Sequence, residues 1–300
     1  MVELVKDTKE RKLGRHPHIC RVCGTSGKFE SYLAREMMQN KRDEFEYFVC
    51  NECNCLQIAE VPENLSEYYG KDYYSFNVPE NPDMQFEAPI YNEDKILDVG
   101  CGSGAWLVQQ AQKGYGNLFG CDPFLEKGRH YGDRVKIYNC SIHEMEGTET
   151  FDIIRMSDSF EHVTDPLEVL LSAKRLLKQG GGLVMTIPTY PNIAFEMFGP
   201  HWYQLDAPRH IFLHSIKSLQ VLEEKSGLHM VEIKYNSNRT QFVRSFLYER
   251  GIPFWEQTGE IVNSIFKEEQ LLRMDADSLR VNEAGYGDHM QVIWTKLYEN

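Results

Sequence analysis

Two groups of residues in this 300-residue chain carry chemistry in their types and spacing. Cys20-Arg21-Val22-Cys23 and Cys50-Asn51-Glu52-Cys53 are two Cys-x-x-Cys knuckles, and together they offer four thiolates to one tetrahedral zinc ion, each at about 2.3 Å. Four thiolates leave no open coordination position, so such a zinc is structural rather than catalytic. The bland alternative is four buried, reduced cysteines. Cys55 falls outside the spacing, while His16 and His18 lie close enough in sequence to keep other ligand sets open.

The second group is Ile96-Leu97-Asp98-Val99-Gly100-Cys101-Gly102-Ser103-Gly104, an apolar run that ends in an acidic, glycine-rich turn. Glycines at a strand-to-helix turn let the backbone approach a nucleotide closely. Asp122 stands about 20 residues further on, where an acid at the next strand end can accept hydrogen bonds from both ribose hydroxyls. Gly100, Gly102 and Ala105 also satisfy the Gly-x-Gly-x-x-Ala form of a dinucleotide fingerprint, so the glycines alone admit NAD. Asp98 separates the two ligands by charge, because it repels a pyrophosphate and attracts an amino acid's ammonium group. A ligand-free tight turn, with Asp122 as a helix cap, is the structural alternative.

A loop of this kind needs a parallel sheet with helices on both faces, and from Lys95 onward short apolar runs alternate with amphipathic stretches. The pattern predicts strands over residues 96–99, 118–121, 135–138, 151–156 and 183–187, and helices over 105–113 and 167–177, the second ended by Gly180–Gly182. A helix over 216–226, a strand over 230–235 and a last strand over 290–297 follow, and the helical spacing over 239–280 predicts an insertion between those strands. The fold class expected is α/β, a doubly wound, seven-stranded, mostly parallel sheet with a small N-terminal zinc ribbon and a C-terminal helical insertion. The domains expected are a ribbon over 1–61 with strands at 44–49 and 56–60, a tyrosine- and proline-bearing linker over 62–92 that packs on its neighbour, and a catalytic domain over 93–300.

Composition sets outer limits. With 42% hydrophobic and 26% charged residues the chain reads as soluble and globular, and no apolar run approaches a membrane span. The charged start, without a signal-peptide pattern, places it in the cytoplasm, where clustered cysteines point to metal rather than disulfides. A net charge of −13 repels phosphate backbones, and lysine and arginine do not outnumber the acids over residues 1–60.

Five motifs in order then resemble the class I S-adenosylmethionine (SAM)-dependent methyltransferases, in particular the ubiquinone-biosynthesis and sugar methyltransferase-like group. They are residues 97–104, Gly120-Cys121-Asp122-Pro123, Phe151-Asp152-Ile153-Ile154, Phe160-Glu161-His162-Val163-Thr164-Asp165-Pro166, and Leu176-Leu177-Lys178-Gln179-Gly180-Gly181-Gly182. The resemblance covers nearly half the chain and implies a Rossmann-like methyltransferase. It implies that Gly100, Cys101, Gly102 and Gly104 line the methionine and ribose of SAM, that Asp122 with Pro123 holds the ribose diol, and that Ser141 and Ile142 flank adenine. It also implies that Ser157 and Asp158 close over the cofactor, as Tyr74 does over its methionine end, and that a final antiparallel strand pairs with 230–235. Some sugar and natural-product methyltransferases are similar in carrying an N-terminal zinc module, which helps wall the substrate site.

Methyl transfer is an in-line displacement, so a base is needed only where the acceptor carries a proton. The candidates are His162 beside Glu161, after the fourth strand, and Tyr203 and His210 in His201-Trp202-Tyr203-Gln204-Leu205-Asp206-Ala207-Pro208-Arg209-His210, after the fifth. In that second cluster Trp202 is suited to stack on a sugar ring and Arg209 to pair with a phosphate or carboxylate, or else Arg209 pairs with Asp206 and His210 caps a turn. The function expected is methylation of a small molecule, a sugar hydroxyl in a nucleotide-linked or polysaccharide precursor first. A natural-product phenol, amine or carbon acid, a zinc-ribbon RNA methyltransferase, a nicotinamide oxidoreductase and a silent binding protein are the rivals.

Overall fold

A computed structural model of the chain describes residues 11–69 and 91–298. Its contacts divide it into two units, one of 11–68, Ile187–Val221 and Ile233–Gln291, the other of 69, 91–186, Leu222–Glu232 and 292–298. Among the described residues no helix is long and apolar enough to cross a membrane.

The second unit is built on a sheet of parallel strands. β5 (Asn92–Val99), β6 (Tyr115–Cys121), β8 (Val135–Tyr138), β9 (Phe151–Ser157) and β10 (Leu177–Pro188) pair in parallel, in the order β10-β9-β5-β6-β8. β12 (His229–Tyr235) and β13 (His289–Thr295) lie next to each other beyond β10, as the resemblance implied. The described sheet has eight strands rather than seven, because β7 (Arg129–Tyr131) adds an antiparallel edge to β8. Three residues are too few to show a strand's alternation in sequence.

Two helices show why these residues fold as they do. α1 (Ala105–Gln112) buries Leu107 and Ala111 against Ile96, Leu118, Val135 and Ile137. α2 (Pro166–Leu176) starts where Asp165 accepts the Glu168 N–H at 3.1 Å, with Pro166 supplying a preset first turn, and it buries Val169, Leu170, Ala173 and Leu176.

One boundary differs from expectation. Gly180–Gly182 do not end α2, which stops at Leu176; they lie inside β10, where the register against β9 shifts between Leu177 and Gly182. Gly180 has φ 75°, and a Cβ on Gly181 would lie 2.9 Å from the Lys178 carbonyl oxygen, so Gly180 and Gly181 form a strand irregularity that larger residues fit poorly.

The first unit carries a five-stranded sheet, β1 (Lys12–Ile19), β2 (Ser26–Arg35), β3 (Glu44–Val49), β4 (Leu56–Ile58) and β11 (Phe212–Leu213), antiparallel throughout. The predicted ribbon strands correspond to β3 and β4, and β1 and β2 add a hairpin that the sequence pattern did not single out. β11 pairs Phe212 with Gln57 and Leu213 with Leu56, tying a distant segment onto the ribbon. The same unit holds α3 (Ile193–Phe198) and the start of α4 (Ile216–Ser226). It also contains the insertion, α5 (Thr240–Glu249), α6 (Gly259–Ile265) and α7 (Glu268–Glu283), packed on Val243, Leu247, Phe266 and Leu271.

Candidate active site and metal centre

The glycine turn is preformed. Gly100, Gly102 and Gly104 have φ of 72°, 53° and 83°, the left-handed region that side chains avoid. A Cβ on Gly100 would come 2.7 Å from that of Ser159, whose hydroxyl donates to the Val99 carbonyl at 3.0 Å. The Gly100 and Cys101 N–H groups reach the Cys121 carbonyl at 2.8 and 3.3 Å. The Asp122 carboxylate accepts the N–H of Gly102 and of Phe124, each at 2.9 Å, and burial raises its pKa. Asp122 is 5% exposed and Pro123 is exposed beside it.

Asp98 is placed differently from its sequence reading. It is 2% exposed and its carboxylate meets the Arg155 guanidinium at 2.7 Å, which itself lies 4.3 Å over the Trp106 ring. Burial lifts its pKa to about 6, against the opposing pull of Arg155. The charge that distinguished an ammonium from a pyrophosphate is therefore largely balanced within the chain. Arg155 was missed, although an arginine within the apolar run of β9 is itself a signal of a buried partner.

Beyond the turn, Ile142 is 3% exposed and Ser141 donates both its N–H and its hydroxyl to Glu144 at 2.8 Å. Ser157 shares a 2.7 Å hydrogen bond with Thr186, and Asp158 is exposed at φ 49° with its N–H donated to the Thr186 carbonyl. The short 3-10 turn Phe160–His162 follows, with Glu161 buried and His162 half-buried. The His162 Nδ1 lies 3.1 Å from the Tyr69 hydroxyl, and the Tyr69 ring stacks on Phe124 with centroids 5.4 Å apart. Tyr69 joins the two strand-end segments and was not singled out. Tyr74 lies outside the described residues.

The Tyr203 and His210 cluster belongs to the first unit. The His210 Nδ1 is 2.6 Å from the Gln204 carbonyl, an acceptor only, so Nδ1 carries the proton and Nε2 is the basic nitrogen of the neutral ring. Tyr203 is half-buried and its N–H donates to the Ser245 hydroxyl at 3.1 Å. Trp202 corrects one expectation here, and Arg209 takes the second of the two alternatives, the pair with Asp206. Trp202 is 1% exposed and its indole N–H donates to Asp288 at 3.0 Å, so the ring is core rather than a sugar platform. Arg209 is fully buried, held by Asp206 at 2.8 and 2.5 Å and by Glu36 at 3.1 Å, which occupies the fork that a ligand phosphate would need.

The four knuckle cysteines converge. Cys20 and Cys53 sulfurs are 3.6 Å apart, Cys23 and Cys50 3.5 Å, and all four lie within 4.8 Å of one another. A tetrahedral ion with about 2.3 Å zinc–sulfur bonds spaces its sulfurs by about 3.8 Å, so the arrangement fits zinc. The knuckles are built alike: Gly24 donates its N–H to the Cys20 carbonyl and Asn54 its N–H to that of Cys50, each at 2.9 Å, with φ of 81° and 56°. Gln57 donates to the Cys20 sulfur at 3.1 Å. Cys55 is buried outside the cluster and donates to the Leu56 carbonyl.

A parallel sheet with a glycine turn at one strand end and an acid at the next defines a nucleotide-binding α/β domain. The model of a methyltransferase domain family matches residues 68–233, more than half the chain, and the chain belongs to that family. The ubiquinone biosynthesis O-methyltransferase of Aliivibrio fischeri (strain MJ11) is 33% identical over 95 residues, 29% of this chain and 41% of that protein. The tRNA U34 carboxymethyltransferase of Hydrogenovibrio crunogenus (strain DSM 25203 / XCL-2) is 26% identical over 145 residues, 44% of each chain. The chain thus spans less than half the length of either relative. A solved geranyl diphosphate C-methyltransferase from Streptomyces coelicolor A3(2) is similar with a TM-score of 0.46 and 14% identity, over 70% of this chain and 74% of that one.

Proposed function

We propose that the chain transfers the methyl group of SAM to a small-molecule acceptor, and that the acceptor atom is a hydroxyl oxygen. The observation that carries this reading is the link from the Gly102 N–H to the Asp122 carboxylate, in a chain of the methyltransferase domain family. It braces the glycine turn, and in this reading the acid beside it offers acceptors to a nucleoside's ribose diol. SAM, when bound, supplies a sulfonium methyl group for in-line displacement.

The chain's own residues bind, orient and deprotonate. Gly100, Cys101, Gly102 and Gly104 let the backbone approach the cofactor, Asp122 holds the diol, and Ile142 and Ser141 border adenine. Ser157 and Asp158 cover the site's edge. His162 is the proposed base. Its Nδ1 lies 3.1 Å from the Tyr69 hydroxyl, which fixes the ring, and an imidazole is the side chain suited to take a substrate proton near neutral pH. Glu161, its neighbour, sets the local charge. His210, whose Nδ1 lies 2.6 Å from the Gln204 carbonyl, is the second candidate, with Tyr203 of the same segment as a contact to the acceptor. The four cysteines hold a structural zinc.

A hydroxyl acceptor is favoured by the ubiquinone O-methyltransferases among the relatives. The sugar acceptor draws no support from them, and Trp202 is not available to stack on one. The tRNA-named relative keeps an RNA acceptor as a second reading, against which the net charge of −13 weighs.

Calorimetry with SAM and NAD, followed by detection of S-adenosylhomocysteine over a panel of phenols, catechols, sugar nucleotides and tRNA, tests the reading. Binding of SAM but not NAD, with turnover on a phenol or catechol, is expected. Binding of NAD alone would overturn the activity, and an N- or C-methylated product or turnover on tRNA only would overturn the acceptor.

A further inference from the structure

A second cluster of metal-ligating side chains lies outside the cysteine site. His16 and His18 project from β1 and Glu46 from β3, and one ligand atom of each lies within 4.8 Å of the others. The His16 Nδ1 is 2.7 Å and the His18 Nε2 2.9 Å from the same Glu46 carboxylate oxygen.

The sheet register explains the convergence. His16 pairs with Phe29 and His18 with Gly27 on one side of β2, while Glu46 pairs with Leu33 and Phe48 with Ser31 on the other. Directly paired residues share a face, so the two histidines, Ser31 and Glu46 all stand on one side of the sheet. Ser31 is small enough to let Glu46 reach over β2 toward β1, and its hydroxyl lies 3.3 Å from the His18 Nε2. The His18 ring is stacked on Phe48 at 4.3 Å and 10°, and Phe48 stacks in turn on Phe29, so the ligands stand on a fixed aromatic floor. The His16 and Glu46 side chains remain 41% and 27% exposed, which leaves an entry path.

We propose that His16, His18 and Glu46 form a second metal site, for a borderline divalent transition ion of the zinc, cobalt or nickel class. Two imidazoles and one carboxylate suit such ions, and three protein ligands leave a fourth position for water. Bonds of about 2.0 to 2.2 Å in tetrahedral geometry put ligand atoms about 3.3 Å apart, so the two imidazole–carboxylate separations need open by only about half an ångström. This site differs from the closed cysteine centre in both respects: its ligands are nitrogen and oxygen, and one coordination position stays open. It does not depend on the methyltransferase reading.

The test titrates Co2+ into protein that already holds one zinc per chain, following visible absorption and metal content. One added equivalent is expected, with weak bands free of thiolate charge transfer because the cysteines stay occupied by zinc. His16→Ala/His18→Ala should abolish that equivalent, and Glu46→Gln, which keeps an oxygen acceptor for both rings, should weaken it by more than about a hundredfold, beyond what loss of an outer partner costs. Absence of a second equivalent in the wild type, or unchanged Co2+ binding in Glu46→Gln with zinc still at one per chain, would overturn the site. Glu46→Gln decides the matter if the double variant fails to fold.

Discussion

The Gly102 N–H and the Asp122 carboxylate are joined at 2.9 Å across twenty positions of sequence, and the same carboxylate takes the Phe124 N–H. One buried acid thus braces the glycine turn and shapes the next strand end before any ligand arrives. Asp122→Ala leaves two N–H groups without an acceptor, each costing about 1–3 kcal/mol if it stays dry. Unfolding in urea should show a loss of a few kcal/mol, and calorimetry a fall in SAM affinity of at least about tenfold. The two N–H groups use different carboxylate oxygens, so Asp122→Asn, which keeps one acceptor and sets an NH2 donor against the other, should recover at most about half of the stability and less of the binding. Equal SAM affinity in all three proteins would remove Asp122 from the cofactor site.

His162 and Tyr69 make a separable prediction. His162→Asn should lower kcat by about 10²–10⁴-fold with SAM affinity unchanged, the range for loss of a positioned base. Tyr69→Phe removes the hydroxyl that orients the ring and should lower kcat by a smaller factor, again without change in SAM affinity. A His162 variant with the wild-type rate on a hydroxyl acceptor would assign the base elsewhere, and His210→Asn then becomes the decisive variant.

The Arg209, Asp206 and Glu36 cluster is structural. Burial alone would lower the arginine's pKa, but the two carboxylates outweigh it and hold the guanidinium charged. Glu36 also accepts the N–H groups of Gln39 and Lys41 at 2.7 and 2.9 Å, so one network ties the loop after β2 to the segment before β11. Arg209→Met strands the buried Glu36 and the part-buried Asp206 and should destabilise by about 3–5 kcal/mol in urea. Arg209→Lys cannot reproduce the forked contact and should fall between the two. A loss below about 1 kcal/mol for Arg209→Met would mean that the acids find other partners.

What was readable in the sequence follows from range. The glycine turn, its acid and the two knuckles are local patterns in which spacing alone implies geometry, and the alternation of β6, β8 and β9 marks strands for the same reason. Arg155 against Asp98 and Glu36 against Arg209 are pairs 57 and 173 positions apart, and no periodicity encodes them. Trp202 misled, and Arg209 stayed open between a ligand and Asp206, because aromatic and charged residues in a loop after a strand look like ligand contacts until their burial is known. β7 and β11 are too short to register, and Gly180–Gly182 suit a helix terminus as well as a strand irregularity.

His214 supplies a pH dependence. It is fully buried, with Nδ1 3.1 Å from the Ser218 hydroxyl, and burial lowers its pKa from 6.5 to about 3. A base whose folded pKa is depressed contributes stability above its unfolded value, and that contribution is lost as pH falls from about 6.5 toward 3, because the unfolded chain takes up a proton that the folded chain refuses. Between pH 7 and pH 5 this one group should remove about 2 kcal/mol from the unfolding free energy. His214→Gln cannot titrate, so the wild type should lose about that much more stability than the variant over the same interval, read from urea midpoints. Parallel curves would show that His214 is protonated in the folded protein, contrary to its burial.

The zinc centre is tested through the ribbon it closes. Cys20 and Cys23 sit at the turn between β1 and β2, and Cys50 and Cys53 at the turn between β3 and β4, so one ion would pin the tips of two hairpins that also meet through the β2–β3 pairing and through Arg21 and Gln57. The Ser215 hydroxyl donates to the Cys53 carbonyl, and Phe212 and Leu213 pair with β4, so loosening the second knuckle should loosen the β11 segment as well. Metal analysis of protein purified without added zinc should find about one equivalent per chain. A strong chelator should then expose four thiols to a colorimetric reagent and lower the unfolding midpoint, while Cys55, buried and outside the cluster, stays protected until global unfolding. Cys20→Ser/Cys23→Ser should reproduce the destabilisation without chelator and show no further response to it. If the untreated protein holds far less than one zinc and the chelator changes neither thiol reactivity nor the midpoint, the four cysteines are reduced core residues and the ribbon stands on its strand pairing alone.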